Sequence, residues 1–130
     1  MITIIAGTRD VPIKKACELV CNALEDCGFA SDITKVIQGG ARGIDRAAKL
    51  VCDGFYETQE VPAQWDKFGH QAGPIRNAEM AEMANALVAV WDGYSSGTRN
   101  MISVAKKRGL KVYVYRYNPH DYTKVTGYYV

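Results

Sequence analysis

The apolar residues of this chain follow two alternating patterns. Ile2 to Ala6 is a short unbroken run, which predicts a strand. Ile13, Ala16, Cys17, Val20, Cys21, Leu24 and Cys27 then recur at helical spacing, and Gly28 supplies a stop. The alternation repeats. Lys35 to Gln38 predicts a second strand, ending at Gly39-Gly40. Ile44, Ala47, Ala48, Val51 and Cys52 form the stripe of a second helix, stopped by Gly54. Tyr56 to Val61 predicts a third strand. Pro62 to Gly73, PAQWDKFGHQAG, has turn residues and little periodicity and predicts a long loop. Pro74 suits a first helical turn, and that helix runs to about Ala84. Ala86 to Trp91 predicts a fourth strand, Asp92 to Ser96 a turn, Thr98 to Arg108 a helix ending at Gly109, and Lys111 to Tyr115 a fifth strand. The tail YNPHDYTKVTGYYV has no assignable period, so an extra strand or a contact with a second copy are both open.

Strand and helix in alternation, with short connections, predict an α/β fold. The sheet is doubly wound and mostly parallel, of about five strands, with helices on both faces. Ala86 to Trp91 is the candidate central strand, being apolar at nearly every position. Nothing resembling a linker or repeat interrupts residues 1–130, which predict a single domain.

Composition narrows the function classes. The chain is 48% hydrophobic and 23% charged, ordinary for a globular protein. A net charge of +2 argues against nucleic acid and against an anionic membrane as partner. No stretch approaches the roughly 18 apolar residues of a membrane span. The N-terminus MITIIAGTRD lacks a basic leader and a cleavage site, so a cytoplasmic location is expected. The cysteines at 17, 21, 27 and 52 match no zinc spacing and predict buried, reduced thiols. No metal or cofactor is expected.

In an open parallel sheet, ligands bind beyond the C-terminal ends of the strands. Four turns lie there, each with glycine and with an arginine beside a helix start. They are GTRD with Gly7, Thr8 and Arg9; GGARGID with Gly39, Gly40, Ala41, Arg42, Gly43 and Asp45; AGPIRN with Arg76 and Asn77; and DGYSSGTRN with Asp92, Ser95, Ser96, Gly97, Thr98 and Arg99. A cation at a helix N-terminus opposes the helix dipole, by about 0.3–1 kcal/mol when exposed. Four such arginines along one sheet edge therefore call for an anion between them, and phosphate suits both helix N-termini and guanidinium forks. The duller account pairs Arg9 with Asp10 and Arg42 with Asp45, and makes Asp45, Ser96 and Thr98 helix caps. Trp65, in the long loop, serves as a stacking platform or a packing anchor. The glycine spacing is neither GxGxxG nor a P-loop.

Taken in order, GTR, QGGARGID, PAQWDKFGHQAGPIRNAEM and DGYSSGTRN resemble the SLOG superfamily, and most closely its small YspA-like branch, DUF2493. The resemblance runs from the N-terminus to about Val114. It implies a Rossmann-like fold and a nucleotide-derived ligand: ADP-ribose, a cyclic derivative or a nucleoside phosphate. It also implies a homodimer or higher oligomer. A stand-alone domain of this kind would sense or sequester its ligand, and a phage-encoded sequestering protein is one form of that expectation. Two alternatives follow from relatives of the superfamily. One is N-glycosidic cleavage of a nucleoside monophosphate, as in LOG phosphoribohydrolases. The other is nucleic-acid binding, as in DprA. Met101 stands where the LOG enzymes carry a glutamate, and a thioether cannot act as acid or base. An enzyme is therefore not the expected reading, and Glu79 is the other acid that the LOG pattern singles out.

Overall fold

The computed structural model describes residues 1–130. Six strands form one sheet: β1 (Ile2–Gly7), β2 (Lys35–Gln38), β3 (Glu57–Glu60), β4 (Ala86–Trp91), β5 (Lys111–Tyr117) and β6 (Lys124–Tyr129). Their order is β3-β2-β1-β4-β5-β6. The first five are parallel and β6 runs antiparallel to β5. Helices α1 (Ile13–Cys27) and α2 (Ile44–Cys52) cover one face. α4 (Ala72–Met83) and α5 (Ser96–Lys107) cover the other, and the short α3 (Trp65–Phe68) leads into α4.

The period of two along each strand sorts side chains between the layers. On β4, Ala86, Val88 and Val90 join Leu19, Val20, Ile44 and Ala48 in one core, while Leu87 and Ala89 join Met80, Ala81, Met101 and Ala105 in the other. This strand is buried over Ala86 to Val90, as its unbroken apolar run predicts. Each large side chain so buried contributes roughly 1.5–3 kcal/mol. The two-sided core thus holds β1 and β4 rigidly side by side. The order of connections reverses between these two strands, which opens a crevice beyond their C-terminal ends.

Four expectations change. The sheet has six strands, not about five, because the aromatic tail returns as β6. Tyr129 donates to the carbonyl of Cys27, and its ring meets Tyr113 edge-on at 5.1 Å. The expected loop at Pro62 to Gly73 contains α3 and a 3-10 turn over Gly69–Gln71. These pieces are too short to show a period. α5 opens at Ser96 rather than Thr98. The thiols are free, but only Cys27 and Cys52 are buried; Cys17 is half-buried and Cys21 is exposed on the outer side of α1. No helix is long and apolar enough to cross a membrane.

Candidate functional site

The crevice holds two adjoining cavities. The larger, about 520 Å³, falls inside the usual range for small-molecule sites, about 300–1,000 Å³. It is walled by Gly7 and Arg9 after β1, by Ala41 and Asp45, by Trp65, by Arg76 and Asn77 of α4, and by Ser95, Ser96, Gly97 and Thr98 at the start of α5. The smaller, about 240 Å³, adds Gly39, Gly40, Arg42, Pro62 and Ala63. Arg9, Ala41, Trp65 and Arg76 belong to both. The two cavities therefore make one groove, with Trp65 and Arg9 standing at its middle.

Local sequence explains each wall. Gly43 has φ +76°, and a Cβ there would lie 2.5 Å from the Thr8 carbonyl oxygen, so only glycine lets α2 press against the turn after β1. The Ile44 N–H then donates to that same carbonyl at 3.1 Å. Asp45, in the first turn of α2, reaches back to accept the Ala41 N–H at 3.2 Å and so folds the glycine loop over itself. It serves neither as an N-cap nor as a partner of Arg42. Arg42 instead pairs with Asp10 at 2.8 Å on the open surface. Arg9 lies over the Trp65 ring, 5.5 Å from its centre. Each arginine has thus taken a different partner from the one its sequence neighbours suggest.

Arg76 is buried, with 9% of its surface exposed. Its Nη1 donates to the Gly39 carbonyl at 2.6 Å, and its Nε donates to Asn77 Oδ1 at 3.0 Å. Its Nη2 has no protein acceptor, although the residue lines both cavities. Burial holds the Arg76 pKa below its ordinary value, opposed by Asp45, yet a guanidinium stays charged. A largely buried guanidinium at the wall of both cavities suits an anion, since its planar fork matches phosphate and carboxylate oxygens.

α5 supplies a second signal. Asp92 Oδ1 accepts the N–H groups of Tyr94 and Ser95 at 2.9 and 2.8 Å, shaping the turn that leads in. Ser95, at the N-cap, makes no side-chain cap bond, so the N–H groups of Ser96, Gly97 and Thr98 stay free at the groove. The Ser95 and Thr98 hydroxyls meet each other at 3.3 Å instead. Asn77 Nδ2 donates to the Gly97 carbonyl at 3.3 Å and to Asn100 Oδ1 at 2.9 Å, fastening α4 to the start of α5.

Four expected site residues stand outside the groove. Thr8 is buried and accepts the Asp92 N–H at 3.3 Å, Gly43 is packed under the β1 turn, and Asp92 shapes its own turn. Arg99 lies over the Trp91 ring at 5.5 Å, so three arginines rather than four face the groove. Ala6, His70, Gly73, Pro74, Met80, Asn100 and Met101 also line the larger cavity. Met80 follows Arg76 by one helical turn, and Met101 follows Gly97 by one, so helical spacing from the expected residues reaches both. Asp45 is the one carboxylate among the lining residues. Glu79 is exposed on α4 and lines neither cavity. Nowhere do His, Cys, Asp and Glu gather in a group that could hold a metal ion.

Burial pushes the Asp45 carboxyl up to about 6, against the pull of Arg76, the Ala41 N–H and Arg9. Its native pKa thus exceeds its unfolded value of 3.8. Between those values the native state binds more protons than the unfolded state, so stability falls as pH rises through the window. The accumulated cost at pH 7 is on the order of 3 kcal/mol. Asp45→Asn is expected to flatten the stability profile between pH 4 and pH 6.5 in urea titrations. A slope equal to that of the unmodified protein would count against this assignment.

A doubly wound α/β domain with an arginine-lined groove at its strand reversal is what the geometry defines. Solved structures of DNA processing protein A share this Rossmann-like fold. That from Helicobacter pylori, described for its single-stranded DNA binding mode, matches with a TM-score of 0.65 at 16% identity, over 88% of this chain and 64% of that one. That from Streptococcus pneumoniae matches with a TM-score of 0.66 at 18% identity, over 92% of this chain and 51% of that one. This chain therefore spans less than two thirds of either protein. At such identities the likeness establishes the fold. No family model matches the chain. A closer relative in sequence is the gene 61 protein of Mycobacterium phage D29, 38% identical over 84 residues, which are 59% of this chain and 67% of the relative. The chain belongs to the family of that phage protein.

One expectation is corrected by these neighbours. The modest net charge does not set nucleic acid aside, because the Helicobacter protein of the same fold has a single-stranded DNA binding mode. Net charge averages over the whole surface, whereas Arg9, Arg42 and Arg76 gather at one groove.

Proposed function

We propose that this protein binds single-stranded DNA along the groove at the C-terminal edge of its sheet. The observation that supports this most is the continuity of the two cavities around Arg9 and Trp65. A strand needs a path that is open at both ends, cations for its phosphates and an aromatic face for a base. Arg76 and the free N–H groups of α5 offer the anion contacts, and Trp65, with 48% of its surface exposed, offers the ring. Base stacking on such a ring is worth about 1–3 kcal/mol. The fold of the DNA processing proteins supports the same reading.

Fluorescence anisotropy of labelled oligothymidylates tests it. Affinity is expected to rise with length beyond one nucleotide and to fall with salt. Trp65→Ala is expected to weaken binding about tenfold, in line with the loss of one stacked base. Binding that ignores Trp65, salt and strand length would sink the proposal.

A second reading keeps a small nucleotide-derived ligand, within the SLOG assignment that the motifs suggest. The burial of Arg76 at the wall of the larger cavity favours it. Calorimetry with ADP-ribose, its cyclic forms and nucleoside monophosphates separates the two. Micromolar binding of one of these, with no response to oligonucleotides, would make this the better account. Cleavage gains little support, because Met101 is buried at the cavity wall where an acid would be needed.

A further inference from the structure

The turn that joins β4 to α5 carries the C-terminal edge of the sheet past the end of the groove. Ser95 walls the larger cavity, and its neighbour Tyr94 is 72% exposed. The backbone under that exposed ring is tied down. Asp92 Oδ1 accepts the N–H groups of Tyr94 and Ser95, Trp91 Nε1 donates to the Ser95 carbonyl at 3.1 Å, and Arg99 Nη2 donates to the Gly93 carbonyl at 3.4 Å. Two guanidinium groups flank the same turn. Arg99 is exposed over the Trp91 ring. Arg116, at the end of β5, is half-buried against Gly93, where an added Cβ would lie 2.6 Å from its Nε and Nη2. Neither pairs with an acid, unlike Arg42 with Asp10 or Arg108 with Glu82.

We propose that bound single-stranded DNA leaves the groove over this turn, where Tyr94 stacks one further base and Arg99 and Arg116 take the phosphates beside it. The inference rests on the reading of the groove as the path of a strand, and it lengthens that path beyond both cavities. An exposed ring beside two unpaired guanidinium groups is the chemistry that a single strand recognises, through base stacking and phosphate contacts. The ring stands on a backbone that folding has already fixed, so little ordering opposes the contact.

Anisotropy with oligothymidylates of two lengths tests this. A strand of about three residues fills the groove, and one of about twelve, within the range of known single-strand sites, reaches the turn. Tyr94→Ala is expected to weaken the long strand about tenfold and to leave the short one within about twofold, with the melting temperature unchanged. Tyr94→Phe keeps the stacking face and is expected to bind both strands as the unmodified protein does. Arg116→Gln is expected to reduce the salt dependence of long-strand binding by about 0.7 in the log–log slope, the share of one phosphate. Long-strand binding that Trp65→Ala weakens and Tyr94→Ala does not would overturn the extension and leave the groove reading standing. Equal weakening of both strands by Tyr94→Ala, or a loss in Tyr94→Phe as large as in Tyr94→Ala, also overturns it. Absence of binding to either strand by the unmodified protein overturns both readings together.

Discussion

Gly43→Ala is expected to lower stability by at least about 4 kcal/mol and to leave little folded protein at 37 °C. Two causes add. The residue sits at φ +76° and ψ −125°, where an L side chain is strained by about 1–3 kcal/mol. Its new Cβ would also lie 2.4 Å from the Arg9 carbonyl oxygen and 2.5 Å from that of Thr8. Both are backbone atoms, so no rotamer change relieves the overlap. Moving them breaks the bond from the Ile44 N–H to the Thr8 carbonyl, which ties α2 to β1. Gly54→Ala is the control: its φ is +93°, but the added Cβ meets nothing within 4 Å, so only the strain remains. Urea unfolding followed by circular dichroism compares the two. Equal losses would show that strain alone decides, and the packing argument would fall.

The second large effect is at Arg76. Arg76→Ala is expected to cost on the order of 3 kcal/mol at pH 7 and to abolish measurable oligonucleotide binding. The substitution removes the donor that serves the Gly39 carbonyl and the cation nearest Asp45. Asp45 then keeps its burial without its main opposing attraction, so its carboxyl rises further above the ordinary range. The penalty is therefore greatest above the native pKa and shrinks as pH falls and the carboxyl takes up its proton. Adding Asp45→Asn to Arg76→Ala should therefore recover part of the stability at pH 7 while binding stays lost. A double variant no more stable than Arg76→Ala would show that the two groups act independently.

Much of the fold was legible because its elements repeat long enough to show a period. α1, α2, β2 and β4 fall where their apolar spacing places them, and Gly28 ends α1 at φ +81°. α3 was not legible, since its four residues complete barely one turn. β6 was hidden for a different reason: an edge strand exposes both its faces, so Val125, Tyr128 and Tyr129 show no buried alternation. The site was legible as a set of turns but not as a set of pairings. Sequence proximity suggests Arg9 with Asp10; the structure gives Asp10 to Arg42 and lays Arg9 on Trp65. Such pairings depend on how turns from different strands meet at the sheet edge. Net charge misled similarly, because +2 is a sum of 16 basic and 14 acidic residues that does not show where Arg9, Arg42 and Arg76 gather.

Asn77 joins the parts of the groove that would otherwise move separately. Its oxygen holds Arg76 Nε, and its amide nitrogen holds Gly97 and Asn100 on the next helix. The buried guanidinium and the free helix end are thus set in register before any ligand arrives. Ordering two anion-binding elements at the moment of binding would cost about 0.5–1.5 kcal/mol for each immobilised side chain. Folding has already met that cost here. For the binding proposed above, the groove is preorganised, and affinity would be governed by how well the incoming molecule fits a fixed spacing rather than by how readily the protein adapts.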